Sequence, residues 1–450
     1  MTPSNLSDTK LQKTFSEERL VRVNSDWVTL NSRKLALLSR QLYLLKAADG
    51  DTFLIEPLAL DDFFSIPEKD RAQLNLAIDR PPAKDAFQIR WAELMEMTAS
   101  ERVQELSQQR ENFEAKLSAV SSPEQKVALA SEIAETAFLI NRACLSLNKN
   151  GDDPQDATLV AETLAITNSV LALIMETPLA VSLFRTFQAK TQSPTLAHVT
   201  RVFAMATGFL LYYNRQRQAG LAAKIRIVFP QEYASIYREL LPSLNESWIK
   251  ADNLIRLPIL SRDQIRIQSL GALLHDVGKV TDLDYFDGSA PKDDIKIRMH
   301  PITGAGIFLR TYGTNYEDAM YIVGDHHNYL FNPEGYGLTQ WERNRSQRTT
   351  PAPQCCIADS LATYTSGEAL SYFPVEMCAL VDVYDALSDP SRQYRKPLSS
   401  YQALAFMNET FVKTHKLDPV LFDVFIDYLK TLDSSLSPEL GFTPKYQRRR

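Results

Sequence analysis

Apolar and polar positions are arranged in two ways along the chain. Near the N-terminus, Gln41-Leu-Tyr-Leu-Leu-Lys46 and Thr52-Phe-Leu-Ile-Glu56 are short apolar runs on either side of Ala-Ala-Asp49-Gly50-Asp51. A short run, a turn signal and a second short run predict a β-hairpin. Ile66-Pro67 and Pro81-Pro82 punctuate the stretch after this hairpin, and residues 1–90 read as a small α/β module of unknown role. That module contains neither His nor Cys, so it offers little catalytic chemistry. From Trp91 to about Leu147 the pattern changes. Glu, Gln, Arg, Ala and Leu dominate, and apolar residues recur every three or four positions, which predicts helices. Ser122-Pro123-Glu124-Gln125 is a helix start: Ser as cap, Pro in the first turn, an acid beside it. Residues 91–150 are therefore expected to be a helical linker, either a plain bundle pair or a segment through which the chain forms a homodimer. Asn148-Lys-Asn-Gly-Asp-Asp-Pro154 reads as a loop and a boundary. Residues 157–432 again read mainly as helices, with few strand signals. The fold class expected is mainly α: a helical bundle preceded by a small α/β module.

Composition narrows the function classes. With 44% apolar and 23% charged residues, the 450-residue chain can bury a large core, and its length suits two or three domains. A net charge of −6, with the one basic run at Arg448-Arg449-Arg450, argues against a partner made of DNA or RNA. The most apolar region, Leu159 to Phe184, is interrupted by Glu162, Asn168, Glu176 and Pro178. Its longest unbroken apolar run, Val170 to Met175, falls far short of the ~20 residues that span a bilayer, so no membrane span is expected. Cys144, Cys355, Cys356 and Cys378 form no CxxC pair and read as reduced thiols of a cytoplasmic protein. The vicinal Cys355-Cys356 pair is expected on a buried helix.

The histidines carry the chemistry. They are His198, His275, His300, His326, His327 and His415, and four of the six fall between positions 275 and 327. Leu273-Leu274-His275-Asp276-Val277-Gly278-Lys279 sets an imidazole and a carboxylate side by side at the end of an apolar helix. An Asp there is costly unless it is paired or bound to a cation. His and Asp together suit Mn, Fe, Zn or Mg rather than a soft thiolate metal. Asp382-Val-Tyr-Asp385-Ala-Leu387 lies in a second apolar helical context, and its two acids, three apart, share one helix face. His415 sits in a polar segment and is expected to do nothing special.

HDxGK followed by DVYDAL resembles the HD superfamily of metal-dependent phosphohydrolases. Other motifs narrow the resemblance to its HD-GYP branch over about residues 190–430: His198-Val-Thr-Arg201-Val202, His300-Pro301-Ile-Thr-Gly304, His326-His327 followed by Gly335-Tyr336-Gly337, and Ser391-Arg392-Gln-Tyr394-Arg395. The resemblance implies a helical cyclic di-GMP phosphodiesterase that yields pGpG or GMP. It implies one metal on His198, His275, Asp276 and Asp382, and a second on Asp276, His300, His326 and His327. Asp276 and Lys279 would be catalytic, and Lys279, Tyr336, Arg392 and Arg395 would bind substrate. Some members place a Glu one turn before the first His to hold a third metal. Here that position is Pro194, so two ions are expected, iron or manganese. The match weakens in the GYP segment. Asn328 replaces the family's Glu, its Asp-Gly is replaced by Phe331-Asn-Pro-Glu334, and Gly337 stands for its Pro. These departures spare every implied ligand and fall in the substrate loop. The sequence therefore also suits a non-catalytic cyclic di-GMP receptor or protein-interaction module, or an HD phosphohydrolase for another nucleotide.

Overall fold

The structure is a computed structural model. It describes residues 18–23, 26–31, 43–46 and 52–55, then 86–147, 155–177, 180–185, 194–279, 295–330, 335–346, 352–389, 397–433, 436 and 444–447. Contacts divide the chain into two units, Met1–Arg90 and Trp91–Arg450.

In the first unit, β1 (Glu18–Val23) pairs antiparallel with β2 (Asp26–Asn31), and β3 (Tyr43–Lys46) with β4 (Thr52–Ile55). The second pair is the hairpin expected around Asp49-Gly50, in the register Lys46↔Thr52. The first pair is an addition to the expected elements, and only Asn24-Ser25 separates its two runs.

The second unit is mainly helical. Its chain order opens with α1 (Ala86–Glu96), α2 (Ala99–Ala119), α3 (Pro123–Leu147), α4 (Gln155–Glu176), α5 (Ala180–Arg185) and α6 (Pro194–Gln218). It continues with α7 (Leu221–Glu232), α8 (Ala234–Leu240), α9 (Ala251–Leu254), α10 (Arg262–Leu274), α11 (Ile295–Tyr312), α12 (Glu317–Asp325) and α13 (Leu338–Ser346). After β5 (Cys355–Ala358), α14 (Leu361–Thr365) and β6 (Ala369–Tyr372) come α15 (Phe373–Ser388), α16 (Ser400–Met407) and α17 (Pro419–Leu432). Local sequence explains many of the starts. Thr98 with Glu101, Ser261 with Gln264 and Ser399 with Gln402 form capping boxes that satisfy exposed N–H groups of α2, α10 and α16. Asp418 caps α17 through Val420 N and Leu421 N.

The centre of this unit is a group of helices packed on one another: α6 against α10 and α15, α10 against α12, and α12 against α11 and α15. Each of these five carries at least one candidate ligand on or directly after it. α2 and α3 belong to the same unit. Asn141 of α3 donates to Thr163 of α4 (2.8 Å) and accepts from the hydroxyl of Tyr312 on α11 (2.5 Å). α4 is, among the described residues, the helix long and apolar enough to cross a membrane; more than half of its apolar stretch is buried within the unit. There it packs against α2, α3, α6, α10 and α11.

The vicinal cysteines are buried as expected, but on a strand rather than a helix. β5 pairs in parallel with β6, in the register Cys355↔Ala369 and Ile357↔Ser371. The run Cys355-Cys-Ile-Ala358 is only four residues long and lies between Pro353 and the polar Asp359-Ser360. That is strand length, too short for a core helix.

Candidate metal centre

α10 builds the first half of the site. Its apolar face runs into the core and ends at His275, which caps it, and a turn (Val277 N to Leu274 O, Lys279 N to Asp276 O) comes next. His275 and Asp276 are thereby delivered to the interior with essentially no exposure, 0% and 1%. Gly278 explains why α11 can come so close. A Cβ at that position would stand 1.8 Å from the His300 carbonyl oxygen and 2.5 Å from Gly304 N, both backbone atoms. Two glycines facing one another across the contact let His300 reach Asp276.

The structure brings the seven candidate ligands together around the Asp276 carboxylate. Oδ1 of Asp276 lies 3.2 Å from His300 Nε2 and 3.8 Å from His326 Nε2. Oδ2 lies 3.7 Å from His275 Nε2, 3.9 Å from His198 Nε2 and 2.5 Å from Lys279 Nζ. The two oxygens thus face two different sets of histidines. Asp382 behaves similarly: Oδ1 is 3.0 Å from His198 Nε2 and 4.0 Å from His275 Nε2, and Oδ2 is 3.8 Å from His327 Nδ1. His198, His275 and Asp276 form one group of converging donor atoms, and His300, His326 and His327 another.

The donor chemistry fits a cation. Nδ1 of His275 donates to the Ala272 carbonyl (2.8 Å), that of His300 to Ile297 (2.5 Å), and that of His326 to Ile322 and Val323 (3.1 Å each). In a neutral ring so tethered, Nε2 is a bare lone pair. Yet His275 Nε2 lies 3.4 Å from His198 Nε2, and His300 Nε2 lies 3.1 Å from His326 Nε2. Lone pairs facing each other and carboxylate oxygens repel unless a positive centre stands between them. Burial discourages a proton in that role: it lowers His275 and His327 below the ordinary imidazole value and brings His300 and His326 down to about 4. For Asp276 burial works against ionisation, but the Lys279 ammonium outweighs it and holds the carboxyl well below its usual range. These buried His and Asp groups could hold a metal ion.

A second layer orients the first. His198 donates from Nδ1 to Asp385 Oδ2 (2.8 Å), so its Nε2 points at the site. Asp385 is gripped by Arg201 through Nε (2.7 Å) and an amino nitrogen (2.9 Å), and Arg201 reaches Asp389 at 2.8 Å. Sequence reading gives no role to Arg201, Asp385 or Asp389. A signal is present nonetheless: Arg201 is three residues after His198 and Asp385 three after Asp382, each pair on one helix face.

The altered GYP segment is pinned by its own network. The buried Asp325, just before His326, accepts from Thr339 N (3.0 Å), Thr339 Oγ1 (2.6 Å) and the Tyr364 hydroxyl (3.0 Å). Burial raises its carboxyl to about 6 despite these bonds. Asn328, where the family resemblance puts Glu, donates to the Tyr364 hydroxyl at 2.8 Å. A Cβ at Gly337 would stand 2.5 Å from Asp325 Oδ1 and 3.0 Å from Gly324 O, so this loop has room for Gly and not for Pro. Tyr336 donates its N–H to the His327 carbonyl (3.0 Å), and its ring lies 4.8 Å from the His327 ring and 6.3 Å from that of His300.

Of the other expected residues, Lys279 is on Asp276 and Tyr336 borders the site. Arg392 and Arg395 lie outside the described residues, as does Phe331-Asn-Pro-Glu334. His415 stands apart with a left-handed backbone (φ 61°), its Nε2 3.1 Å from Glu239. Compared with known proteins, the chain matches no family model, no curated protein and no solved structure.

Proposed function

We propose that the protein is a metal-dependent phosphodiesterase of the HD-GYP type that hydrolyses cyclic di-GMP to linear pGpG or GMP. In this reading it holds two divalent ions, iron or manganese. The observation that carries the reading is the Asp276 carboxylate, with one oxygen turned to His300 and His326 and the other to His198 and His275. That is the disposition of a bridging ligand. Asp382 completes the first set from α15, and His327 completes the second. The order of motifs, HDxGK, HPxxG, HH and DVYDAL, supports the same family.

When bound, a pair of divalent ions supplies Lewis acidity at the phosphoryl group and a strong oxygen nucleophile at neutral pH. The chain's own groups do the rest. Asp276 and Asp382 bring negative charge and the five histidines neutral donors, a set that suits hard to intermediate ions. Lys279, partly exposed beside Asp276, offers an ammonium to the phosphoryl oxygens, where negative charge develops in the transition state. The ring of Tyr336 forms a wall next to His327, against which a substrate can rest.

The test is product analysis. Purified protein reloaded anaerobically with Fe(II) or Mn(II) is incubated with cyclic di-GMP, and the products are separated by chromatography. Linear pGpG or GMP should appear with the wild type. It should not appear with His275→Ala or Asp276→Asn, both of which should also lose metal while remaining folded. Near wild-type turnover in either variant would overturn the assignment. Bound metal and bound nucleotide without product would make the protein a receptor.

A further inference from the structure

Moving outward from the donor groups, the wall of the site is ordered as His327, then Tyr336, then Arg298. The guanidinium carbon of Arg298 lies 5.6 Å from the centre of the Tyr336 ring, and that ring is 4.8 Å from His327. Arg298 sits two residues before His300 on α11. His300 is buried at 2% exposure, whereas Arg298 is exposed. One short helical segment therefore places a ligand inside the site and a cation at its rim, with an aromatic ring between them. A guanidinium resting on a ring face keeps its N–H donors in its own plane, directed sideways rather than into the ring. That leaves a planar fork suited to two oxygens of one phosphate.

We propose that Arg298 is a specificity-determining residue that binds the second, uncleaved phosphate of a dinucleotide substrate. This rests on the phosphodiesterase reading above and adds to it a reason why the site should prefer a substrate with two phosphates. A cyclic dinucleotide presents one phosphodiester to the donor groups and must have the charge of the other neutralised elsewhere. Lys279 is held at Asp276, 2.5 Å away, and serves the reacting phosphate. Arg298, one ring further out, meets the remaining charge.

The test compares two substrates on the intact, metal-loaded protein: cyclic di-GMP, with two phosphodiesters, and bis(p-nitrophenyl) phosphate, with one. Arg298→Ala should raise KM for cyclic di-GMP about tenfold with kcat within about twofold, as for the loss of a hydrogen bond to a charged group. Its kcat/KM for bis(p-nitrophenyl) phosphate should stay within about twofold of wild type, and Arg298→Lys should recover part of the lost KM. An unchanged KM for cyclic di-GMP would overturn the inference. So would an equal loss on both substrates, which would mark Arg298 as merely structural. Failure of the wild type to cleave cyclic di-GMP would overturn the underlying reading instead, and it shows before any variant is compared.

Discussion

His198 is aimed at the site from behind. Its Nδ1 proton goes to Asp385, whose other contacts are the forked guanidinium of Arg201. Removing the charge of Asp385 should leave His198 in place but less basic and less firmly oriented. Asp385→Asn is therefore expected to weaken metal binding by about 10- to 100-fold, the usual cost of losing such a partner. Metal titration of the apoprotein would show it. Binding as tight as wild type would mean that the Asp385 bond does not orient the ligand. Glu376 gives a prediction of a different kind. It is buried on α15, where burial and then the nearby Asp418 raise its carboxyl from 4.5 to about 8, and its Oε1 accepts from Asp418 N. The folded state thus keeps a proton that the unfolded state gives up above about 4.5. Its contribution to stability is full below 4.5 and is lost as the pH rises through 8. Glu376→Gln keeps an acceptor oxygen and cannot ionise. The variant should melt close to wild type at pH 5 and at a higher temperature at pH 8.5; equal melting at both would refute this. Sequence alone names the ligands, because His and Asp are conspicuous in apolar contexts. It does not name Asp385, Arg201 or Asp325, because an ion pair inside a helical pattern looks like an ordinary solvated face until the partner helix is in place.

Among the elements, the contact of α10 with α11 decides whether the two groups of donors share Asp276. Gly278 and Gly304 make that contact, and the obstacle to a larger residue at 278 is backbone, which no rotamer change can relieve. Gly278→Ala must drive α11 away from the turn that carries Asp276. Overpacking of this kind costs about 1–3 kcal/mol or more. It should also separate Asp276 from His300, now 3.2 Å apart. The variant is expected to melt several degrees lower and to bind fewer metal equivalents, read by calorimetry and elemental analysis. Wild-type metal content would show that the helices do not need this close approach. The motif can be read from the sequence, and so can a glycine as a point of close approach; that it is the His300 carbonyl which fills the space cannot. Secondary structure divides in the same way. Long periodic stretches such as α3, α4 and α6 are legible as helices, and Asp49-Gly50 marks the β3–β4 pair. β5 is not, because a four-residue apolar run lacks the length over which a period can be recognised and its partner β6 lies beyond α14.

Over the whole molecule, the sequence suggests a boundary near residue 150, whereas the contacts put the division at Arg90. The difference matters for what the catalytic unit requires. α2 and α3 do not merely connect. They bury Val103, Leu106, Phe113, Ile133, Phe138 and Ile140 at 4% exposure or less, and Asn141 ties α3 to α4 and α11. Arg110 of α2 pairs with Glu162 of α4, and Ser107 donates to the same carboxylate at 2.9 Å. α11 is the helix that carries His300, so α3 supports a helix of the site from its outer side. Each large apolar side chain kept from water stabilises by ~1.5–3 kcal/mol, and several of them together match the ~5–15 kcal/mol by which a domain is stable. A chain beginning at Ala86, which keeps α1 whole, should therefore melt cooperatively and bind metal like the full-length protein. A chain beginning at Gln155 should lack a cooperative transition and bind metal poorly, because the inner faces of α4 and α11 would then lie open to water. Thermal melts and metal titrations of the two truncated chains decide the matter. If the shorter chain folds and binds metal normally, α2 and α3 are an appendage, as a boundary near 150 would have it. If only the longer chain does, the helices that look like a linker in sequence are part of the scaffold that holds His300 against Asp276.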